Sequence, residues 1–227
     1  MGSRVFGSDP DVFFIRSDNN KLSEVEKHTL LIVNLVLGQL TLMSDNVNLY
    51  SDLEHKLYAS TFPKPEAKVT GMTSLGLETY RVDYTCNQRQ YIFYTNLSPL
   101  PYTTHLPLGE DAQDVYYFEH SNVLIKDKVD WLKSQTAIFL KPHETRMFMK
   151  ISDRFMGSTG HLLPGTEIDS LSITDVVRIT TKKRYTAKNK LYIRLDGEIP
   201  QVYVNQTLAQ VKKYVWNQDI TVIKITF

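Results

Sequence analysis

The hydrophobic period changes at Phe62-Pro63-Lys64-Pro65, and no other feature of the sequence limits the fold as much. Before it, short apolar runs alternate with stretches of helical spacing. After it, apolar residues recur in short runs bounded by turn formers, several with a period of two. The first pattern predicts α/β structure and the second predicts antiparallel β structure.

In the first part, Val12-Phe13-Phe14-Ile15 lies between Pro10 and the polar stretch Arg16 to Asn20, and reads as a buried strand or an ordered apolar loop. Ser23 followed by Glu26 forms a capping box, in which each side chain satisfies an orphan N–H at a helix start. The helix is predicted to run to about Leu37. Its second half, Leu30 to Leu37, is apolar nearly all round, so it must be buried on most sides. Gly38 is placed as its C-terminal cap, free to take a positive φ. Gln39 to Met43 reads as a second short strand, ending in Ser44-Asp45-Asn46. A second capping box, Ser51 with Glu54, opens a helix to about Ser60, with Leu53 and Leu57 on one face, and the prolines then end it. The order strand, helix, strand, helix fits βα units of a parallel sheet or barrel.

Beyond Pro65, Tyr80, Val82 and Tyr84 alternate with polar neighbours, and Tyr91 to Tyr94, Tyr116 to Phe118, Ala137 to Leu140, Arg146 to Ile151 and Leu191 to Leu195 follow as further strands. Asp196-Gly197 is read as a hairpin turn, and Thr207 to Val215 as a helix. The stretch Ser152 to Gly165, with three glycines and a proline, marks a loop or a link to a smaller β unit. The expected architecture is the last βα units of a (β/α)8 barrel over residues 1–62, an antiparallel β-sandwich over 66–151, and a further β-rich segment over 152–227.

Composition removes several function classes. A chain 42% hydrophobic and 22% charged has the balance of a folded globule rather than a disordered one. Lys and Arg number 26 against 25 Asp and Glu, so no overall basic field exists to hold nucleic acid. The single cysteine, Cys86, excludes an intramolecular disulfide and a cysteine-based zinc cluster. The six histidines show no metal-ligand spacing, and there is no glycine-rich phosphate loop and no Gly-x-Ser-x-Gly elbow. Lys182-Lys183-Arg184 reads as a solvated hairpin. The most apolar stretch, Thr29 to Met43, is too short to span a bilayer and is interrupted by Asn34, Gly38 and Gln39. With no signal-peptide pattern at the N-terminus, the expectation is a cytoplasmic protein with no cofactor, no metal, no nucleic acid and no membrane partner.

The candidate site is Gly7-Ser8-Asp9-Pro10-Asp11-Val12, where two carboxylates flank a proline just before an apolar run. Its bland reading is a turn. Its functional reading is a carboxylate held at the end of a barrel strand, where barrel enzymes build their sites. Asp9 and Asp11 project the same way in an extended chain. They suit two contacts to one ligand better than two acids facing a bond from opposite sides. Asp45, in the same place after the next strand, is read as part of a polar loop.

These segments resemble a known family. DPDVFFIR, the capped helix and GQLTLMSDN are similar to the end of the catalytic barrel in α-galactosidases of glycoside hydrolase family 36, and LKPHETRMFMKI looks like closing strands of that family's C-terminal β domain. The chain departs from the pattern at Gly7-Ser8, where the family often has Asn, and at Val12, where the related family 27 often has Met. The resemblance implies retaining hydrolysis of terminal α-galactosides by two aspartates on earlier barrel strands, N-terminal to Asp9. Asp11, and beside it Asp9, would contact substrate, and self-association would follow the family. A full barrel takes about 250 residues. Residues 1–62 therefore supply roughly its last two βα units, and the chain is expected to be inactive alone, its α-galactoside reaching it through an upstream catalytic barrel. A different class, a non-catalytic carbohydrate-binding or accessory β-sandwich, stands as the alternative.

Overall fold

A computed structural model describes residues 12–38, 42–121, 129–182, 189–195, 197–216 and 220–226. Two short strands, β1 (Val12–Phe13) and β2 (Leu42–Met43), pair in parallel, with Val12 opposite Leu42 and Phe13 opposite Met43. Helix α1 (Glu24–Leu37) connects them and α2 (Asp52–Ala59) follows. The predicted order of elements is therefore present. Both capping boxes form, with Ser23 and Ser51 as N-caps and Glu26 and Glu54 reaching back to them. Gly38 is the C-cap as predicted, and only its positive φ is corrected. Its N–H bonds to the Asn34 carbonyl, but its φ is −82°, an extended conformation open to any residue.

Helix α1 is buried on most sides. Leu31, Ile32, Leu35 and Val36 are within the core, and Lys27, His28, Thr29 and Asn34 are buried as well. Leu57 of α2 is buried too, whereas Leu53 stays 38% exposed, so only one of the two predicted leucines packs inward.

The rest of the described chain is β structure. One sheet has six antiparallel strands in the order β3 (Lys68–Gly76), β4 (Thr79–Cys86), β5 (Arg89–Asn96), β10 (Thr145–Ile151), β7 (Tyr116–Glu119) and β8 (Asp130–Lys133). Its two faces follow the strand period of two. Val82, Tyr84, Tyr91, Phe93, Phe118, Trp131, Met147 and Met149 share one core cluster with α1 and with the sheets that follow. Ile92, Tyr94, Tyr117 and Phe148 on the opposite face pack under the pair β6 (Tyr102–His105) and β9 (Ala137–Leu140). Buried tyrosines reach main-chain carbonyls: Tyr91 Oη donates to Pro164, Tyr94 to His105 and Tyr117 to Pro107. This is how a sheet accommodates a large ring with a polar tip.

A second sheet orders β11 (Phe155–Ser158), β14 (Lys190–Leu195), β18 (Ile220–Thr226) and β17 (Gln210–Trp216), all antiparallel. A third orders β12 (Ile168–Ile173), β13 (Val176–Thr181), β15 (Gln201–Val204) and β16 (Thr207–Leu208), in which β13 and β15 are parallel, a departure from the all-antiparallel expectation. Strands β16 and β17 replace the helix predicted over Thr207 to Val215. Seven residue pairs, from Gln210 opposite Thr226 to Trp216 opposite Ile220, hold β17 extended, and tertiary pairing overrides local preference there. The hairpin predicted at Asp196-Gly197 is also corrected. Asp196 lies outside the described residues, and β14 and β15 on either side of it belong to different sheets.

Of Ser152 to Gly165, the part from Phe155 onward is drawn into the interior. Phe155 and Leu163 are fully buried, and the Gly157 backbone passes so close to Phe118 that an added Cβ would lie 2.7 Å from its ring, at a φ of +133° that favours glycine. The Trp131 indole N–H donates to the Met156 carbonyl at 2.8 Å. The Leu162 N–H donates to the Ser60 carbonyl, joining this stretch to the end of α2.

Candidate functional site

The C-terminal ends of the two parallel strands meet at Asp45. Its Oδ2 accepts from the Ile15 N–H at 2.7 Å, the Arg16 N–H at 3.1 Å and the Tyr50 hydroxyl at 2.6 Å, and its Oδ1 accepts from Arg16 Nη1 at 2.6 Å. The carboxylate is wholly enclosed. Burial works against its charge, yet the bonds from Tyr50, the Ile15 N–H and Arg16 outweigh that cost and hold the carboxyl below its ordinary value. The same burial, followed by the Asp45 charge, pushes the Tyr50 phenol upward. Asp45 thus ties the chain after β1 to the chain after β2. The sequence offered a signal for it, a carboxylate just past a strand, but read it as a loop residue.

A second knot lies alongside. Ser17 Oγ donates to Glu54 Oε1 at 2.7 Å, and Lys27 Nζ donates to Ser17 Oγ at 3.0 Å and pairs with Glu24. Glu54 Oε2 accepts from the Ser51 N–H at 2.7 Å, as the capping box requires, and from the Ser51 hydroxyl at 2.9 Å. Burial again opposes the Glu54 charge, and the Ser51 N–H, Ser17 and Lys27 lower its pKa overall. The capping box could be seen in the sequence. The reach of Lys27 and Ser17 to it could not, because Ser17 and Glu54 come together only through folding.

Asp45 and Glu54 are both settled as anions with their lone pairs engaged. Neither suits the acid/base role, which needs a raised carboxyl. Burial does raise Glu167, but it is enclosed in the β region with Asn189 donating to its Oε1 at 2.8 Å, and no described groove is lined by it. The predicted contacts Asp9 and Asp11 lie outside the described residues, as do Lys183 and Arg184 of the basic run.

His28 of α1, His120 beyond β7 and His161 of the 159–167 stretch are all buried. His161 Nε2 lies 3.0 Å from the Pro63 carbonyl, and the Leu163 N–H donates to its Nδ1 at 2.8 Å. Desolvation lowers the three to about 4, about 3 and about 4 respectively. Among the described residues no group of three His, Cys, Asp or Glu could hold a metal ion. No described helix is long and apolar enough to cross a membrane.

No family model matches the sequence, and no curated protein matches it. Solved structures do. A GH27 β-L-arabinopyranosidase from Geobacillus stearothermophilus is similar over 65% of this chain and 37% of its own, at 12% identity and a TM-score of 0.50. The α-galactosidase I of Mortierella vinacea is similar over 61% of this chain and 38% of its own, at 11% identity and a TM-score of 0.46. The chain spans well under half the length of either structure. At these identities the likeness concerns the fold alone: the described residues, mostly β strands with two α-helices, are arranged like part of the arabinopyranosidase.

Proposed function

We propose that the chain is the C-terminal portion of a retaining glycoside hydrolase of the α-galactosidase kind, acting on terminal α-galactosides. In this reading residues 1–62 close a catalytic barrel, residues 66–151 and 152–227 form its accessory β region, and the two catalytic aspartates sit on barrel strands N-terminal to Asp9. Such enzymes set two carboxyls about 5–5.5 Å apart, one as nucleophile and one as acid/base. Asp11, with Asp9 beside it, would meet the sugar from the chain just before β1.

One observation carries the reading. β1 and β2 are adjacent parallel strands joined by a capped helix, and they lead into the antiparallel six-stranded sheet. Parallel strands are built to be covered on both faces, and a pair two residues long is not a stable sheet by itself. Further strands beside them would complete the arrangement. The fold likeness to the arabinopyranosidase supports the same view and adds β-L-arabinopyranosides as a second substrate class.

The test is hydrolysis of p-nitrophenyl α-D-galactopyranoside and β-L-arabinopyranoside. The expected result is no turnover by the chain alone, turnover when a barrel encoded upstream of Met1 is co-expressed, and loss of that turnover in Asp11→Asn. Turnover by the chain alone that disappears on substituting Asp9 or Asp11 would refute the proposal.

A further inference from the structure

The six-stranded sheet is only partly covered on the face opposite α1. The pair β6 and β9 packs over Ile92, Tyr94 and Phe148. Beside it a groove of about 390 Å3 stays open, floored by β4, β5, β10 and β7 and walled by the loop after Leu106. That volume lies at the lower end of small-molecule sites, roughly 300–1,000 Å3. The wall is held in place: the Tyr117 hydroxyl donates to the Pro107 carbonyl at 3.1 Å, and the Gly109 N–H donates to the Gln113 carbonyl at 2.8 Å.

The lining is chemically balanced. Arg81 donates through Nε and Nη2 to one oxygen of Asp83, at 3.1 and 2.6 Å, leaving Asp83 Oδ2 an acceptor with no donor among the described residues. Lys150 lies half-buried in the same groove, and its ammonium makes no hydrogen bond or ion pair with any described residue. Glu110 on the wall supplies a second carboxylate. Two cations and two anions leave no net charge to select an ion of either sign. Pro107 and Leu108 add apolar surface beside these polar groups.

We infer that this groove binds a neutral polyhydroxylated ligand, a mono- or disaccharide, at a site separate from the ends of β1 and β2. Each sugar hydroxyl both donates and accepts. A ring lying against Leu108 could therefore accept from Lys150 and donate to Asp83, using capacity that the fold leaves unspent. A nucleobase would want an exposed aromatic face to stack on, which the groove does not offer. The site stands whether or not the hydrolase reading does, since it uses none of the substrate-contacting residues of that reading.

Two-dimensional NMR of the full chain, titrated to tens of millimolar with galactose, melibiose, inorganic phosphate or an alkylammonium salt, tests it. The expected result is saturable shifts with a sugar, confined to residues 81–85, 90, 107–110 and 150. They should weaken about tenfold or more in Lys150→Met and in Asp83→Asn, the scale of a lost hydrogen bond to a charged group, and be absent in Thr85→Trp, which fills the groove. Asp11→Asn should leave the binding unchanged while abolishing any reconstituted hydrolysis, which separates the two proposals. Wild-type thermal melting in the variants shows that the fold is kept; if Asp83→Asn melts early, Lys150→Met and Thr85→Trp decide. No saturable shift with either sugar, shifts elsewhere, or preferential binding of phosphate or the cation would overturn the inference.

Discussion

Around Asp45 and Glu54 the chain is held by charged groups fixed in place by hydrogen bonds. Around Phe93 and Phe118 it is held by rings and aliphatic side chains with no measurable exposure. The strands that meet at Asp45 are two residues long, too short for the ladder alone to set their register. Directional bonds take over that task, and each one costs the desolvation of its partners. The six-stranded sheet has strands of up to nine residues and a buried apolar cluster on each face, so burial of apolar surface is sufficient there. The difference teaches that the parallel unit is a shaped part and the sheets are the stable body against which it rests.

Four measurements would break or sharpen this contrast, beginning with the largest effect. Phe118→Ala removes a fully buried ring that touches Trp131 and Tyr192, and should lower stability in denaturant unfolding by about 3–5 kcal/mol. Asp45→Ala leaves two backbone N–H groups, the Tyr50 hydroxyl and part of the Arg16 charge without their acceptor, and should cost about 2–4 kcal/mol. A loss as large as that at Phe118 would end the distinction between the regions.

The third concerns the three buried histidines. His28, His120 and His161 have folded pKa values below that of the unfolded chain, about 6.5. Below that pH the unfolded chain takes up protons that the folded one refuses, so stability is complete above about pH 6.5 and falls toward pH 4. Burial dominates each shift, and Lys182 adds to that at His161. Between pH 6.5 and 5.5 the three together should lose roughly 2–3 kcal/mol, read from urea unfolding at the two values. A flat profile would show that the histidines are not sealed in. Smallest is Ser23→Ala, which removes the α1 cap and should lower stability by about 1 kcal/mol, seen as a modest drop in melting temperature.

Much of the framework could be read in advance. Ser23 with Glu26 and Ser51 with Glu54 act within four residues of chain, so local sequence was enough to place both helix starts. The alternation at Tyr80 to Tyr84 reported a sheet face directly, because side chains in a strand change sides at every residue. The extended state of Gln210 to Trp216 was hidden, since β18 supplies its pairing partner from the last residues of the chain. Asp45 was hidden for the same reason. Three of its four donors lie 29 or 30 residues away along the chain, in Ile15 and Arg16, and nothing in Ser44-Asp45-Asn46 reveals them.

The sequence by itself settled where helices begin, where the α/β pattern gives way to β, and that no disulfide is available. Those properties depend on neighbours along the chain and on composition. Tertiary structure alone decided that Asp45 is enclosed rather than open, that three histidines are buried, and that a balanced polar groove stays uncovered on the six-stranded sheet. Each of these depends on which distant segments exclude water from a given side chain, and only the folded arrangement fixes that.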